Sequence, residues 1–335
     1  HYVMKEYIMK KYIFPVLMAL LVMALAACGS STTDSNETDD DVLTIYTTVF
    51  PLKSFAEQIG GGSVSVETIY TNRADIHTYE PTQKDMLEYA EGDLFIYTAD
   101  DLDPVSQKIR GAVEDHTVFF PAADGIPEEA FEHDHAHEEA EEGHEDEHDH
   151  ESEEGHEDHG HENGTDPHIW LDPNLSIEMA SAIKDQLVEM DPDNASDYTE
   201  NFEALEEELT DIDAELASIT EAPLRDTVYI SHESIGYLAD RYHFEQVGIS
   251  GLNNQEPSQQ ELTQIIEDIE AKEIPYILYE QNITSKITDT IREETDTEPL
   301  EFHNLSVLND EDDPEATYQS IMQDNIEVLD RVLNE

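Results

Sequence analysis

The chain has 335 residues, with 15 Lys+Arg against 81 Asp+Glu and a formal net charge of -66. That charge repels phosphate backbones, so nucleic acid is excluded as a partner, while cations and solubility are favoured. Hydrophobic residues make up 38% of the chain, too many for a wholly disordered protein, and its one cysteine excludes an intramolecular disulfide.

In chain order, Lys5, Lys10 and Lys11 precede an apolar run from Tyr12 to Ala27, the order of a secretory signal peptide. The start itself is expected at Met4 or Met9. The run of 16 residues is shorter than the roughly 20 that span a bilayer. It ends in Leu25-Ala26-Ala27-Cys28, which resembles a bacterial lipobox. Residues 1–27 would then be removed, and acyl chains on Cys28 would anchor the protein to the outer face of the cell membrane. Residues 28–41 read as a lipidated flexible tether.

Strand signals follow at Leu43–Val49, Val64–Tyr70, Leu94–Thr98, Thr117–Phe120, Thr227–Ser231, Phe244–Ile249 and Pro275–Tyr279. Helical patterns lie between them, at Gln83–Ala90, Ile177–Met190 and Gln259–Ala271. This alternation predicts parallel α/β layers. Ala195–Ser218 contains no Gly or Pro and carries Tyr198, Phe202, Leu205, Leu209, Ile212 and Leu216 at helical spacing. A long helix there, over 194–219, would divide a lobe at 42–193 from a lobe at 220–335.

Residues 128–163 hold 18 Asp+Glu, nine His and no Lys or Arg. With almost nothing apolar, this segment is predicted to be a disordered insertion. Its histidines, His133, His135, His137, His144, His148, His150, His156, His159 and His161, form an auxiliary trap for metal ions. The acidity does not come from the insertion alone: from Cys28 onward, without it, 62 acids still face 12 bases. That composition suits a protein working in high salt, where screening relieves repulsion.

Of the histidines outside the leader and the insertion, His77 follows a strand signal and His232 stands at the end of another. His168 lies in Asp166-Pro167-His168-Ile169-Trp170-Leu171-Asp172-Pro173, and Glu280 ends a further strand. Ligands gather outside the carboxyl ends of strands in open α/β sheets. Two of these four residues come from each half, so they could meet across a cleft. His116, His243 and His303 are read as ordinary turn or packing residues, and Trp170 as packing beside His168.

Taken together, four segments resemble the metal motifs of the binding lipoproteins of ABC importers, in the zinc (ZnuA/AdcA-type) branch of solute-binding protein family 9, cluster A-I. They are Asp75–Pro81, Asp166–Pro173, Ser231–Ala239 and Tyr279–Lys286, with Glu256-Pro257-Ser258 between the last two. The similarity runs from about Thr44 to the C-terminus. Two departures are mild: Ile76 stands where Pro is commoner, and Glu233-Ser234-Ile235 replaces smaller or aromatic residues. The resemblance implies two (β/α) lobes joined by one long rigid helix, with a site for one Zn²⁺ in the cleft formed by His77, His168, His232 and Glu280. It implies nearly rigid binding, an ABC permease and its ATPase as partners, and a monomeric, extracytoplasmic, membrane-anchored protein.

Three imidazoles and one carboxylate suit tetrahedral Zn²⁺. A Mn²⁺ site would carry more carboxylate oxygen, and Cu²⁺ binds such sets at least as tightly. The alternatives are a manganese or other divalent-metal binder, or a surface adhesin, of the same family. An enzyme is not expected. Four protein ligands leave no open position for water, no Gly-x-Ser-x-Gly or P-loop motif occurs, and the one His-Glu-x-x-His, at His144-Glu145-Asp146-Glu147-His148, falls within the low-complexity acidic insertion.

Overall fold

The computed structural model describes residues 42–72, 74–113, 116–131, 165–281 and 286–335. The leader, Cys28, the tether and all nine insertion histidines lie outside the described residues. Leu43–Glu335 form one compact unit.

The first sheet contains β1 (Leu43–Thr47), β2 (Val64–Thr68), β3 (Leu94–Tyr97) and β4 (Val118–Pro121), all parallel, in the order β2-β1-β3-β4. Helices α1 (Phe50–Gly60), α2 (Gln83–Tyr89) and α3 (Pro104–Val113) connect them. The second sheet contains β5 (Thr227–His232), β6 (Glu245–Ser250), β7 (Tyr276–Glu280) and β8 (Glu298–Phe302), also parallel, in the order β6-β5-β7-β8. Its connections are α6 (Gly236–Tyr242), α7 (Gln259–Ala271) and α8 (Lys286–Glu294). The two sheets share one topology. In each, the strand order reverses next to the first strand, at β1/β3 and at β5/β7.

Between the lobes run α4 (Pro173–Met190) and α5 (Ala195–Thr220). The 26 residues of α5 extend about 39 Å at 1.5 Å per residue. Its buried residues are the predicted stripe, Tyr198, Phe202, Leu205, Leu209, Ile212 and Leu216. That stripe packs against α1, α4 and α9 (Tyr318–Asn334). One continuous core therefore passes from the first lobe through α5 to the second, and a smaller cluster around Tyr229, Ile269 and Ile277 lies within the second lobe.

Two sequence expectations need correction. Glu128–Phe131, the first four residues of the expected insertion, form a 3-10 turn. Ala130 and Phe131 pack against the core there, the only apolar pair before the acidic tract begins. Also, α9 is not confined to the second lobe. Tyr318 N donates to Ser54 Oγ on α1 at 3.0 Å, and its hydroxyl donates to the Trp170 carbonyl at 2.8 Å.

Candidate metal centre

His77 sits in the turn that leaves β2. Its backbone N–H donates to Asp75 Oδ1 at 2.9 Å, and Tyr79 ties the turn back to the strand by donating to the Ile69 carbonyl at 2.8 Å. His168 repeats the arrangement: its N–H donates to Asp166 Oδ1 at 2.9 Å. The same oxygen lies 2.7 Å from His168 Nδ1. That contact places the ring proton on Nδ1 and leaves the Nε2 lone pair available. Nε2 is buried with no hydrogen-bond partner among the described residues. The Asp-x-His spacing shared by residues 75–77 and 166–168 was readable in the sequence; the carboxylate's double role was not.

His232 is the last residue of β5 and Glu280 the last of β7, on either side of the reversal in strand order. Glu280 Oε2 lies 2.8 Å from His232 Nδ1, and Glu280 Oε1 accepts from Ser234 Oγ at 2.6 Å. His232 Nε2 lies 2.9 Å from the Leu252 carbonyl. Both His232 nitrogens thus face acceptors. Ser234 and the Leu252 carbonyl are partners that no sequence pattern announced.

The three rings converge. Their centroids are 5.6 Å apart for His77–His168, 5.4 Å for His77–His232 and 5.1 Å for His168–His232. One nitrogen from each lies within 4.8 Å of the others. Tetrahedral zinc with Zn–N bonds of about 2.0–2.1 Å holds its ligand nitrogens about 3.4 Å apart, so ångström-scale closure would complete the set. The Glu280 carboxylate is not part of that trio; it stands beside it, bonded to His232. Trp170 packs edge-on to His168 at 5.4 Å and donates through Nε1 to the Asn304 carbonyl at 2.8 Å, linking the lobes. The Tyr237 hydroxyl does the same by donating to the Asp166 carbonyl at 2.9 Å.

Electrostatics separate the rings. Burial lowers His77 to about 4, helped by the neighbouring imidazoles His168 and His232. Burial lowers His168 to about 3, with His232 adding to the effect. Burial acts against the His232 cation too, but the Glu280 charge, its hydrogen bond and the Leu252 carbonyl outweigh it, and His232 is raised. Burial opposes the Glu280 charge in turn, and His232 overcomes it, so Glu280 is lowered. Two neutral imidazoles therefore sit beside one imidazolium–carboxylate pair.

Among the described residues, the remaining histidines are not part of this group. His303 Nδ1 accepts from the Leu305 N–H at 3.0 Å and its Nε2 faces Asp312 at 3.1 Å. His243 ends α6 in the left-handed conformation, with φ of 60°.

The high-affinity zinc uptake system protein ZnuA of Bacillus subtilis is 31% identical over 86% of this chain and 87% of its own length. The zinc-binding lipoprotein AdcA of Streptococcus pneumoniae strain R6 is 28% identical over 87% of this chain but 56% of its own, so the chain spans about half of that relative. Among solved structures, the Zn(II)-bound ZnuA-like domain of S. pneumoniae AdcA matches with a TM-score of 0.69. It covers 88% of this chain and 99% of that domain at 24% identity, a likeness of fold. The family model for zinc-uptake complex component A, periplasmic (ZnuA), matches residues 45–332, and the chain belongs to that family.

Proposed function

We propose that this protein captures Zn²⁺ outside the cytoplasm and delivers it to the permease of an ABC importer, whose separate ATPase supplies the energy. The observation that carries the reading is the convergence of three imidazoles, two from the first lobe and one from the second, on one enclosed point. His77, His168, His232 and Glu280 are the ligands in this reading. Three nitrogens and one oxygen favour zinc over harder ions. The names of the relatives, a zinc uptake protein and a zinc-binding lipoprotein, support the same cargo.

Four protein ligands would close the shell that a hydrolytic zinc keeps open, so the protein binds and releases its ion without chemistry on a substrate. Cys28 carries the lipid anchor, the molecule acts as a monomer, and the nine insertion histidines gather zinc as weaker auxiliary ligands.

The test is zinc titration of the full chain, read by the fluorescence of Trp170. This is the only tryptophan, and it packs on His168 at 5.4 Å. The signal should saturate at one tight equivalent, and His232→Ala should abolish that tight phase. An undiminished phase in the variant would refute the assignment.

A further inference from the structure

The two oxygens of Glu280 have different partners. Oε2 lies 2.8 Å from His232 Nδ1, while Oε1 accepts from Ser234 Oγ at 2.6 Å. His232 and Ser234 are fully buried, and Glu280 is 3% exposed. The Ser234 bond has the length of a hydroxyl donating to an ionised carboxylate, a bond roughly twice as strong as one between neutral groups.

Ser234 is held from behind. It lies between β5 and α6, where the Glu233 N–H donates to the Ser250 carbonyl at 3.0 Å and the Ile235 N–H donates to Gln246 Oε1 at 2.6 Å. Both acceptors belong to β6. Gly248, between them, lies so close to the Ser234 turn that a Cβ there would stand 2.7 Å from the Glu233 Cβ. Ile235 is fully buried. The residues on either side of Ser234 are therefore pinned to β6, while Glu280 stands on β7, across β5. The Glu280 N–H donates to Ser231 Oγ on β5 at 3.2 Å, which fixes its backbone as well. The strand order β6-β5-β7 thus sets the hydroxyl against the carboxylate.

We infer that Ser234 is a positioning residue that sets metal specificity: by occupying Oε1 it leaves Glu280 only Oε2 to offer an ion. The inference rests on the zinc-capture reading, in which Glu280 is a ligand. His232 is also a ligand in that reading, so the ion takes over its contact with Oε2. Ser234 is not a ligand, and it keeps Oε1. A carboxylate with both oxygens free can bind a metal twice, which raises the coordination number toward the six or so that Mn²⁺ adopts with oxygen ligands. A carboxylate with one free oxygen adds one bond, and with three imidazoles that makes the tetrahedral shell of Zn²⁺.

The test is titration of the full chain with Zn²⁺ and, separately, with Mn²⁺, each read by the fluorescence of Trp170, which packs on His168. Ser234→Ala frees Oε1. The ratio of the Mn²⁺ to the Zn²⁺ dissociation constant should fall about tenfold or more, through weaker zinc binding and undiminished manganese binding. A loss of packing alone weakens both ions alike, so an unchanged ratio overturns the inference. Ser231→Ala removes the bond to the Glu280 N–H and leaves both carboxylate oxygens engaged, so it should keep the wild-type ratio. An equal fall in that variant would mean general loosening and overturns the inference too. Should Ser234→Ala not fold, the wild-type protein decides in zinc-loaded crystals. Oε2 is expected at about 2.0–2.2 Å from the ion with Oε1 still on Ser234, and two bonded Glu280 oxygens overturn the inference. A wild-type protein without any Trp170 response to zinc defeats the zinc-capture reading itself, and the role of Ser234 with it. A normal wild-type response with an unchanged ratio defeats the role of Ser234 alone.

Discussion

Asp166 does more than turn the chain. Its carboxylate accepts the His168 N–H and holds the proton on Nδ1, so Nε2 faces the other imidazoles as an acceptor. An amide at this position can donate to Nδ1 and turn the tautomer around. Asp166→Asn should therefore weaken zinc binding by about 10–100-fold while leaving the thermal midpoint nearly unchanged. A loss of stability without a loss of affinity would mark Asp166 as structural only. The pH dependence follows from the three rings. His77, at about 4, and His168, at about 3, are neutral at any pH near 7, so no proton competes with zinc for their nitrogens. His232, raised by Glu280, carries the proton that zinc must displace. Affinity should fall as pH drops through the raised His232 value, by about tenfold per pH unit for one displaced proton. This places the fall nearer neutrality than a free imidazole would. Calorimetric titration between pH 5 and 8 reads it, and a flat profile would contradict it. In the zinc-stripped protein the signs oppose one another. The neutral His77 and His168 make stability fall as pH drops below the free value of about 6.5. The His232 contribution is complete below that value and is lost as pH rises through its folded one.

Periodicity was a reliable guide where one face of an element is buried. The stripe on α5 was readable because Leu205, Leu209, Ile212 and Leu216 recur every three or four residues, and each is buried. It left β8 unseen: Glu298-Pro299-Leu300-Glu301-Phe302 carries two acids and a proline, which an edge strand tolerates and a central strand does not. The role of α9 was equally hidden, since its stripe does not say that it packs against both lobes. For the candidate site, the four motifs marked the histidines and Glu280. The pairing of Glu280 with His232 depended on β5 and β7 being neighbours, which is a property of strand order. Leu209 tests the continuity of the core. It is fully buried on α5, and Leu209→Ala should cost about 2–5 kcal/mol. Calorimetry should record one unfolding transition moved to lower temperature. Two separate transitions, with only one displaced, would mean that the lobes unfold independently.

Taken whole, the molecule combines a strongly acidic surface with a centre for cations. The formal charge of -66 implies self-repulsion that screening relieves. The Debye length falls from about 10 Å at 0.1 M salt to about 3 Å at 1 M. The thermal midpoint should therefore rise with NaCl over that range, and a midpoint that falls would remove the high-salt reading of the composition. Two lobes of the same topology, tied by α5 and α9 and by the contacts of Trp170 and Tyr237, favour small movements over a wide hinge. In the proposed reading, zinc capture depends on ångström-scale closure of three rings around one point. Diffraction from zinc-loaded crystals at the zinc absorption edge measures this most directly. The account predicts an anomalous peak about 2.0–2.1 Å from one nitrogen of each of His77, His168 and His232, with Glu280 completing the shell. A fully loaded protein whose strongest peak lies elsewhere, or lacks any one of these histidines, would contradict it.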